Sequence, residues 1–175
     1  NYYVKVNFTT VVDLVNELGG VEVYSDQYVN LGVCRVYEGM NKLDGNCALA
    51  FSRERHSYVD GDRHRGRNQQ AVITAIFKKL TSGTTIISQY NDIIDSLDGK
   101  FATNMDLNEV IGLLKYEIND LGSYEIKSIQ LDGYGSMGKT YSYPNQDLWI
   151  MIPYEDTITN ARDMINKVLN NESIK

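Results

Sequence analysis

"YYVKVNFTTVVDLVNELGGVEVYS" occupies residues 2–25. Its first seven residues (2–8) alternate and are β-branched or aromatic, the pattern of a strand. Residues 9–20 change period: Val11, Val12, Leu14, Val15 and Leu18 recur at helical spacing, and Gly19–Gly20 supply the stop. Residues 21–25 (VEVYS) return to strand character. A strand–helix–strand opening is the βαβ habit of an α/β fold. At 175 residues the chain is long enough for a core of its own. No repeat or linker interrupts it, so residues 1–175 are read as a single domain.

The remainder follows the same alternation of elements. Residues 33–45 hold one short strand and a turn at Asp44–Gly45, and residues 46–55 a short helix. The arginine-rich stretch that follows, punctuated by Gly61 and Gly66, is expected as loop. Residues 68–80 form an amphipathic helix with Val72, Ile73, Ile76, Phe77 and Leu80 as its apolar stripe. Lys78 and Lys79 in its last turn suit the helix dipole. Helices are further expected over about 84–97 and 106–119, the second capped by Asp106. Strands are expected over 123–133 and 147–153, and a closing helix over 155–170.

Charge is distributed unevenly along this frame. The formal net charge is −6, yet five of the seven arginines (Arg53, Arg55, Arg63, Arg65 and Arg67) fall within fifteen residues. A nucleic-acid binder spreads Lys and Arg over a face and is basic overall. A pI of about 4.9 with one positive island disfavours that class and suits a single compact anion. No apolar run is long enough to span a bilayer. The chain starts at Asn1 within a strand and is read as a processed or excised piece, which leaves an upstream membrane anchor open. Cys34 and Cys47 lack C-x-x-C spacing; two buried thiols or one bridge both remain open.

Arginine suits phosphate because its planar fork donates two parallel hydrogen bonds. Arg53 and Arg55, two apart, point the same way if extended. Arg65 and Gln69, four apart, share a face if the helix begins early. A helix start would add free N–H groups and the positive dipole end. The competing reading is a solvated loop of weak Arg–Asp pairs involving Asp60 and Asp62. His56 and His64 lie in the same loop and are expected to face solvent, with no third ligand to make a zinc site. "GYGSMGKT" (133–140) matches the P-loop pattern letter for letter, but Pro144 and turn formers follow where a helix is required. It is read as a chance match in a Gly-rich loop.

Three segments together, "LVNELGGVEVY", "LDGNCALAFSRERHSYVDGDRHRGRNQQAVITAI" and "LDGYGSMG", resemble the LytR–CpsA–Psr family over nearly the whole chain. The densest part is the ordered set D-G-x-x-A-L-x-x-x-R-x-R, then G-D, then R-x-x-x-Q-Q. The resemblance implies a three-layer α/β/α sandwich with a central mixed sheet, here without its N-terminal segment. It also implies a protein anchored by an N-terminal helix at the outer face of the cytoplasmic membrane, in a Gram-positive bacterium. Such proteins move a glycopolymer phosphate (teichoic acid, capsule or a related glycan) from a polyprenyl-diphosphate carrier to peptidoglycan. By this resemblance Arg53, Arg55, Arg65 and Gln69 hold the diphosphate, with Arg67 beside them. Asn68 stands where many members have a further arginine.

Asp62 matches the family's acidic residue, and with Arg53 and Arg55 it is the catalytic candidate. It either orients the arginines or accepts a proton from the acceptor hydroxyl. Mg²⁺ is the implied cofactor, with its ligands expected mainly upstream and none assigned in this chain. The lipid tail needs an apolar cleft, for which Ile73, Ile76 and Phe77 are candidates, against the plain alternative of core packing. Export favours a Cys34–Cys47 disulfide. The rival function is a non-catalytic module that binds an anionic glycolipid.

Overall fold

The computed structural model describes residues 3–80, 101–106, 109 and 126–174. The chain divides into two compact units, Asn1–Tyr124 and Glu125–Lys175. Both mix helix and strand, so the α/β class holds.

In the first unit β1 (Val4–Val6) leads into α1 (Phe8–Glu17). Asn7 caps α1: its side-chain oxygen accepts from the Thr10 backbone N–H at 2.8 Å and from the Thr10 hydroxyl at 2.9 Å. The helix ends at Leu18, and Gly19 turns the chain with φ of 70°, a left-handed conformation that glycine adopts without a Cβ penalty. β2 (Val21–Ser25) pairs antiparallel with β5 (Gly39–Leu43) in the register Val21↔Leu43. Between them β3 (Val29–Asn30) pairs with β4 (Arg35–Val36). α2 (Gly45–Arg53) follows, then α3 (Asp62–Leu80), and β6 (Phe101–Thr103) pairs with β1.

The core is built by period-two burial on β2, where Val21 and Val23 point inward and Glu22 and Tyr24 outward. These valines meet Val15 of α1, Val36 and Leu43, Ala48 and Phe51 of α2, and Val72 of α3. Phe51, at 1% exposure, is the largest fully buried side chain. Cys34 and Cys47 are joined, with Cα atoms 5.8 Å apart. The bond fastens the β3–β4 arm to the first turn of α2.

In the second unit β7 (Gly133–Gly138) and β8 (Leu148–Pro153) form an antiparallel pair in the register Gly133↔Pro153, followed by α4 (Glu155–Leu169). The Tyr154 N–H donates to the Asp132 carbonyl at 2.8 Å and Thr157 Oγ1 to the same carbonyl at 3.2 Å, fixing the entry to α4.

Several expectations change. β1 and β2 do not share a sheet: β1 pairs with β6 and β2 with β5, so the opening is not a βαβ unit. All four described pairings are antiparallel and two-stranded; a central mixed sheet is not among the described residues. Residues 126–132 are not strand, because alternation without a ladder partner does not hold an extended chain in a sheet. The "GYGSMGKT" segment is a hairpin arm rather than a loop: Gly133–Gly138 is extended, no helix follows, and the Trp149 indole lies over Gly135. Asp44 is not in a turn but caps α2, accepting from the Cys47 N–H at 2.8 Å. The helix expected over 84–97 lies outside the described residues. Of the one over 106–119 only the start is described: Asp106 and Glu109 each accept the other's backbone N–H at 2.9 Å, a reciprocal capping box.

Candidate functional site

α3 begins at Asp62, six residues earlier than its apolar stripe suggests. This follows from the turn before it, where Arg63 N–H donates to Asp60 O and Arg65 N–H to Gly61 O, both at 3.0 Å. Arg63, Arg65 and Arg67 are therefore helical. Gln69 stands two turns into the helix rather than at its mouth, so the helix start is not what it offers an anion.

Helical geometry then sorts the side chains. At 100° per residue, positions 65, 69, 72, 73 and 76 fall on one stripe. Arg65, Gln69, Val72, Ile73 and Ile76 all line a cavity of about 570 Å³. The opposite wall comes from Phe8 and Val11 of α1, and from Leu49, Ser52 and Arg53 of α2 with Arg55 just beyond. Arg53, Arg55, Arg65, Gln69, Ile73 and Ile76 thus share one cavity. Ile73 is 66% exposed and so is not core. Ile76 packs partly against the core as well.

Three candidates are placed elsewhere. Arg67 lies two residues from Arg65, about 200° around the helix. Its Nη2 donates to Asp60 Oδ2 and lies 2.8 Å from His64 Nδ1, away from the cavity lining. Phe77 sits outside the stripe and does not line the cavity. Asp62 does not line it either, but its Oδ1 holds Arg65 Nη2 in an i,i+3 ion pair.

Among the described residues neither Arg53 nor Arg55 has a carboxylate partner. The acid between them, Glu54, is turned into the following loop, where it accepts the backbone N–H groups of His56 at 2.6 Å and Ser57 at 2.8 Å. Burial alone would raise its pKa; the N–H bonds from Ser57 and His56 outweigh that and lower it from the ordinary 4.5. A carboxylate depressed in the folded state contributes stability that is complete above its unfolded value and is lost as pH falls through the folded one. Glu54→Gln is expected to be less stable than the parent at pH 7, with the gap closing below about pH 4.5. Urea melts of both proteins across that range check this; a gap that stays constant to pH 3 refutes it.

Behind the arginines lies a buried brace that sequence reasoning missed. Asn68, 4% exposed, donates through Nδ2 to the Phe51 carbonyl and to the Tyr58 hydroxyl, both at 3.2 Å. Burial comes first among the causes that push the Tyr58 hydroxyl's pKa up. The Tyr58 ring stacks on His64, centroids 3.4 Å apart and planes within 9°. His64 is buried rather than solvent-facing, with Asp26 and Asp60 each 3.4 Å from its ring nitrogens. Asp60 is itself held ionised, first by the Arg67 hydrogen bond, which lowers its pKa. The brace ties the last turn of α2 and the loop to α3, fixing Arg53 and Arg55 relative to Arg65. Asn68 therefore braces the arginines rather than contacting the cavity. Only the cap at Asn7, which makes Phe8 the first residue of a helix, and the i,i+3,i+4 spacing of Leu49, Ser52 and Arg53 could have announced the opposite wall.

The chain belongs to the LytR_cpsA_psr family, which matches residues 1–158. It is 39% identical over 142 residues to the polyisoprenyl-teichoic acid–peptidoglycan teichoic acid transferase TagT of Bacillus subtilis strain 168, covering 77% of this chain and 42% of that protein. It is 28% identical over 170 residues to the TagU transferase of the same name from Enterococcus faecalis V583, covering 97% of this chain and 53% of that protein. A solved structure of TagT bound to LI-WTA superposes with a TM-score of 0.70 at 26% identity, over 95% of this chain and 60% of that one. The chain thus spans about half the length of the relatives it matches.

Proposed function

We propose that this chain supplies the carrier-binding wall of a phosphotransferase, which moves a glycopolymer phosphate from a polyprenyl diphosphate to peptidoglycan at the outer face of the cell membrane. The observation that carries this is a cavity of mixed lining: the guanidiniums of Arg53, Arg55 and Arg65 and the Gln69 amide share it with the apolar side chains of Phe8, Val11, Leu49, Val72, Ile73 and Ile76. A prenyl diphosphate joins the same two chemistries in one molecule. About 570 Å³ is an ordinary size for a small-molecule site. The names of TagT and TagU, and the TagT complex with LI-WTA, support the reading.

In the reaction an acceptor hydroxyl on peptidoglycan attacks the phosphorus that bears the glycan. The bond from that phosphorus to the bridging oxygen breaks, the hydroxyl proton is released, and the carrier leaves as polyprenyl monophosphate. Charge builds on the leaving phosphate, where Arg53 and Arg55 stand unneutralised and stabilise it. Arg65 is held in place by Asp62, whose pairing fits the orienting role. Mg²⁺ is implied by the family. Among the described residues no group of three His, Cys, Asp or Glu side chains could hold a metal ion, and Asp62 is engaged with Arg65. These residues do not by themselves fit such an ion, and no step is derived through it. No described helix is long and apolar enough to cross a membrane.

Calorimetry with geranylgeranyl diphosphate, geranylgeraniol and inorganic pyrophosphate tests the site. The diphosphate lipid is expected to bind at least tenfold more tightly than either half. Equal affinity for the diphosphate lipid and the alcohol overturns the reading. Binding by the full-length protein without transfer to peptidoglycan favours the non-catalytic alternative.

A further inference from the structure

We infer that Phe8 is the positioning residue for Arg53, holding its guanidinium over the cavity through the face of its ring and so setting the affinity for the diphosphate head group. The inference rests on the proposed function and adds a residue to that site.

Arg53 Cζ lies 4.8 Å from the centroid of the Phe8 ring, within cation–π range. Among the described residues Arg53 makes no ion pair and no hydrogen bond, in contrast to Arg65 and Arg67, which are tied to Asp62 and Asp60. Its side chain leaves the last turn of α2, where terminal carbonyls attract a cation backward along the helix. Without another contact a guanidinium on such a flexible stem has no fixed aim. The ring supplies one.

Phe8 is 61% exposed at the head of α1 and takes no part in the core, so its ring is free to meet the guanidinium. Its mount is rigid. The Asn7 cap fixes the first turn of α1, and α1 packs tightly on α2, where the Gly45 N–H donates to Asn16 Oδ1 at 2.8 Å. Phe8 also lines the same cavity as Arg53. A carboxylate in its place would orient the arginine but also discharge it. A ring face orients the cation while leaving its full charge and all its N–H donors for the ligand.

The test uses Phe8→Leu, which keeps an apolar side chain, and Phe8→Trp, which restores a stronger ring face. Phe8→Leu is expected to weaken binding of inorganic pyrophosphate and geranylgeranyl diphosphate about 3- to 10-fold. Geranylgeraniol binding should fall less than pyrophosphate binding, since Leu keeps an apolar lining, and the melting temperature should drop by no more than the loss of the Phe8–Arg53 contact allows, about 4 °C. Phe8→Trp is expected to restore the affinity. In an Arg53→Ala background Phe8→Leu should add nothing, because the pair acts as a unit. A Phe8→Leu effect that persists in that background, or unchanged pyrophosphate affinity with Arg53 intact, overturns the inference. A readout free of ligand accompanies it: the Arg53 Nε–H resonance should carry a ring-current shift that Phe8→Leu removes. Absence of that shift overturns the inference even if the wild-type protein binds no diphosphate, a result that would separately refute the proposed function.

Discussion

Replacing Arg53 and Arg55 together with alanine is expected to weaken polyprenyl-diphosphate binding by at least 100-fold, with almost no effect on folding. Hydrogen bonds to charged groups each contribute about 1.5–3 kcal/mol, and the two side chains face the cavity with no carboxylate to share them. Both are exposed and neither belongs to the core, so stability should move by no more than about 1 kcal/mol, mostly the Phe8 contact. Arg67→Ala is the control. Its guanidinium is spent on Asp60 and His64 on the far side of α3, so affinity should change less than about threefold. Calorimetry and thermal melts on the three proteins decide the matter. Undiminished binding in the double variant, or equal losses in it and in Arg67→Ala, would show that the diphosphate is held elsewhere.

The largest expected effect on stability belongs to Gly45→Ala. A Cβ at Gly45 would lie 2.8 Å from Val12 Cα, and nearer still to the Val12 carbonyl oxygen. These are backbone atoms and cannot swing aside, so α1 and α2 must part. Overpacking of this kind costs about 3 kcal/mol or more, a fall in melting temperature on the order of 10 °C for a chain of this size. Because Phe8 and Val11 ride on α1 while Leu49, Ser52 and Arg53 ride on α2, carrier affinity should fall with it. A melting temperature within 2 °C of the parent would show that the helices do not approach this closely.

Elements written in local periodicity were legible before the structure. α1, β2, α2, β8 and α4 lie within a few residues of where alternation, helical spacing and glycine stops put them. Pairing was not legible, because which strand lies beside β1 depends on contacts a hundred residues away. The early start of α3 was hidden by its composition. Asp62 through Arg67 is polar and contains Gly66, which reads as loop, yet α3 is held from behind by Asn68 and His64, two polar groups buried in the brace. Tertiary packing overrode propensity there. Of the six expected site residues that share the cavity, Arg65, Gln69, Ile73 and Ile76 meet there because helical spacing is a reliable geometric statement, while Arg53 and Arg55 reach it from the end of α2. Arg67 and Phe77 fall off that stripe of α3 by the same geometry. Phe8 reads as the end of the first strand, where the Asn7 cap in fact starts α1 and leaves the ring at its head.

A run of alternating arginines on a helix does not make a basic patch in space, because every second position lands on the opposite side of the cylinder. At the cavity this leaves three guanidiniums, those of Arg53, Arg55 and Arg65, against the one carboxylate that pairs with Arg65. Three less one is a surplus of two. On the proposed function, a carrier diphosphate esterified at both ends, with its two negative charges, would leave this described lining electrically balanced.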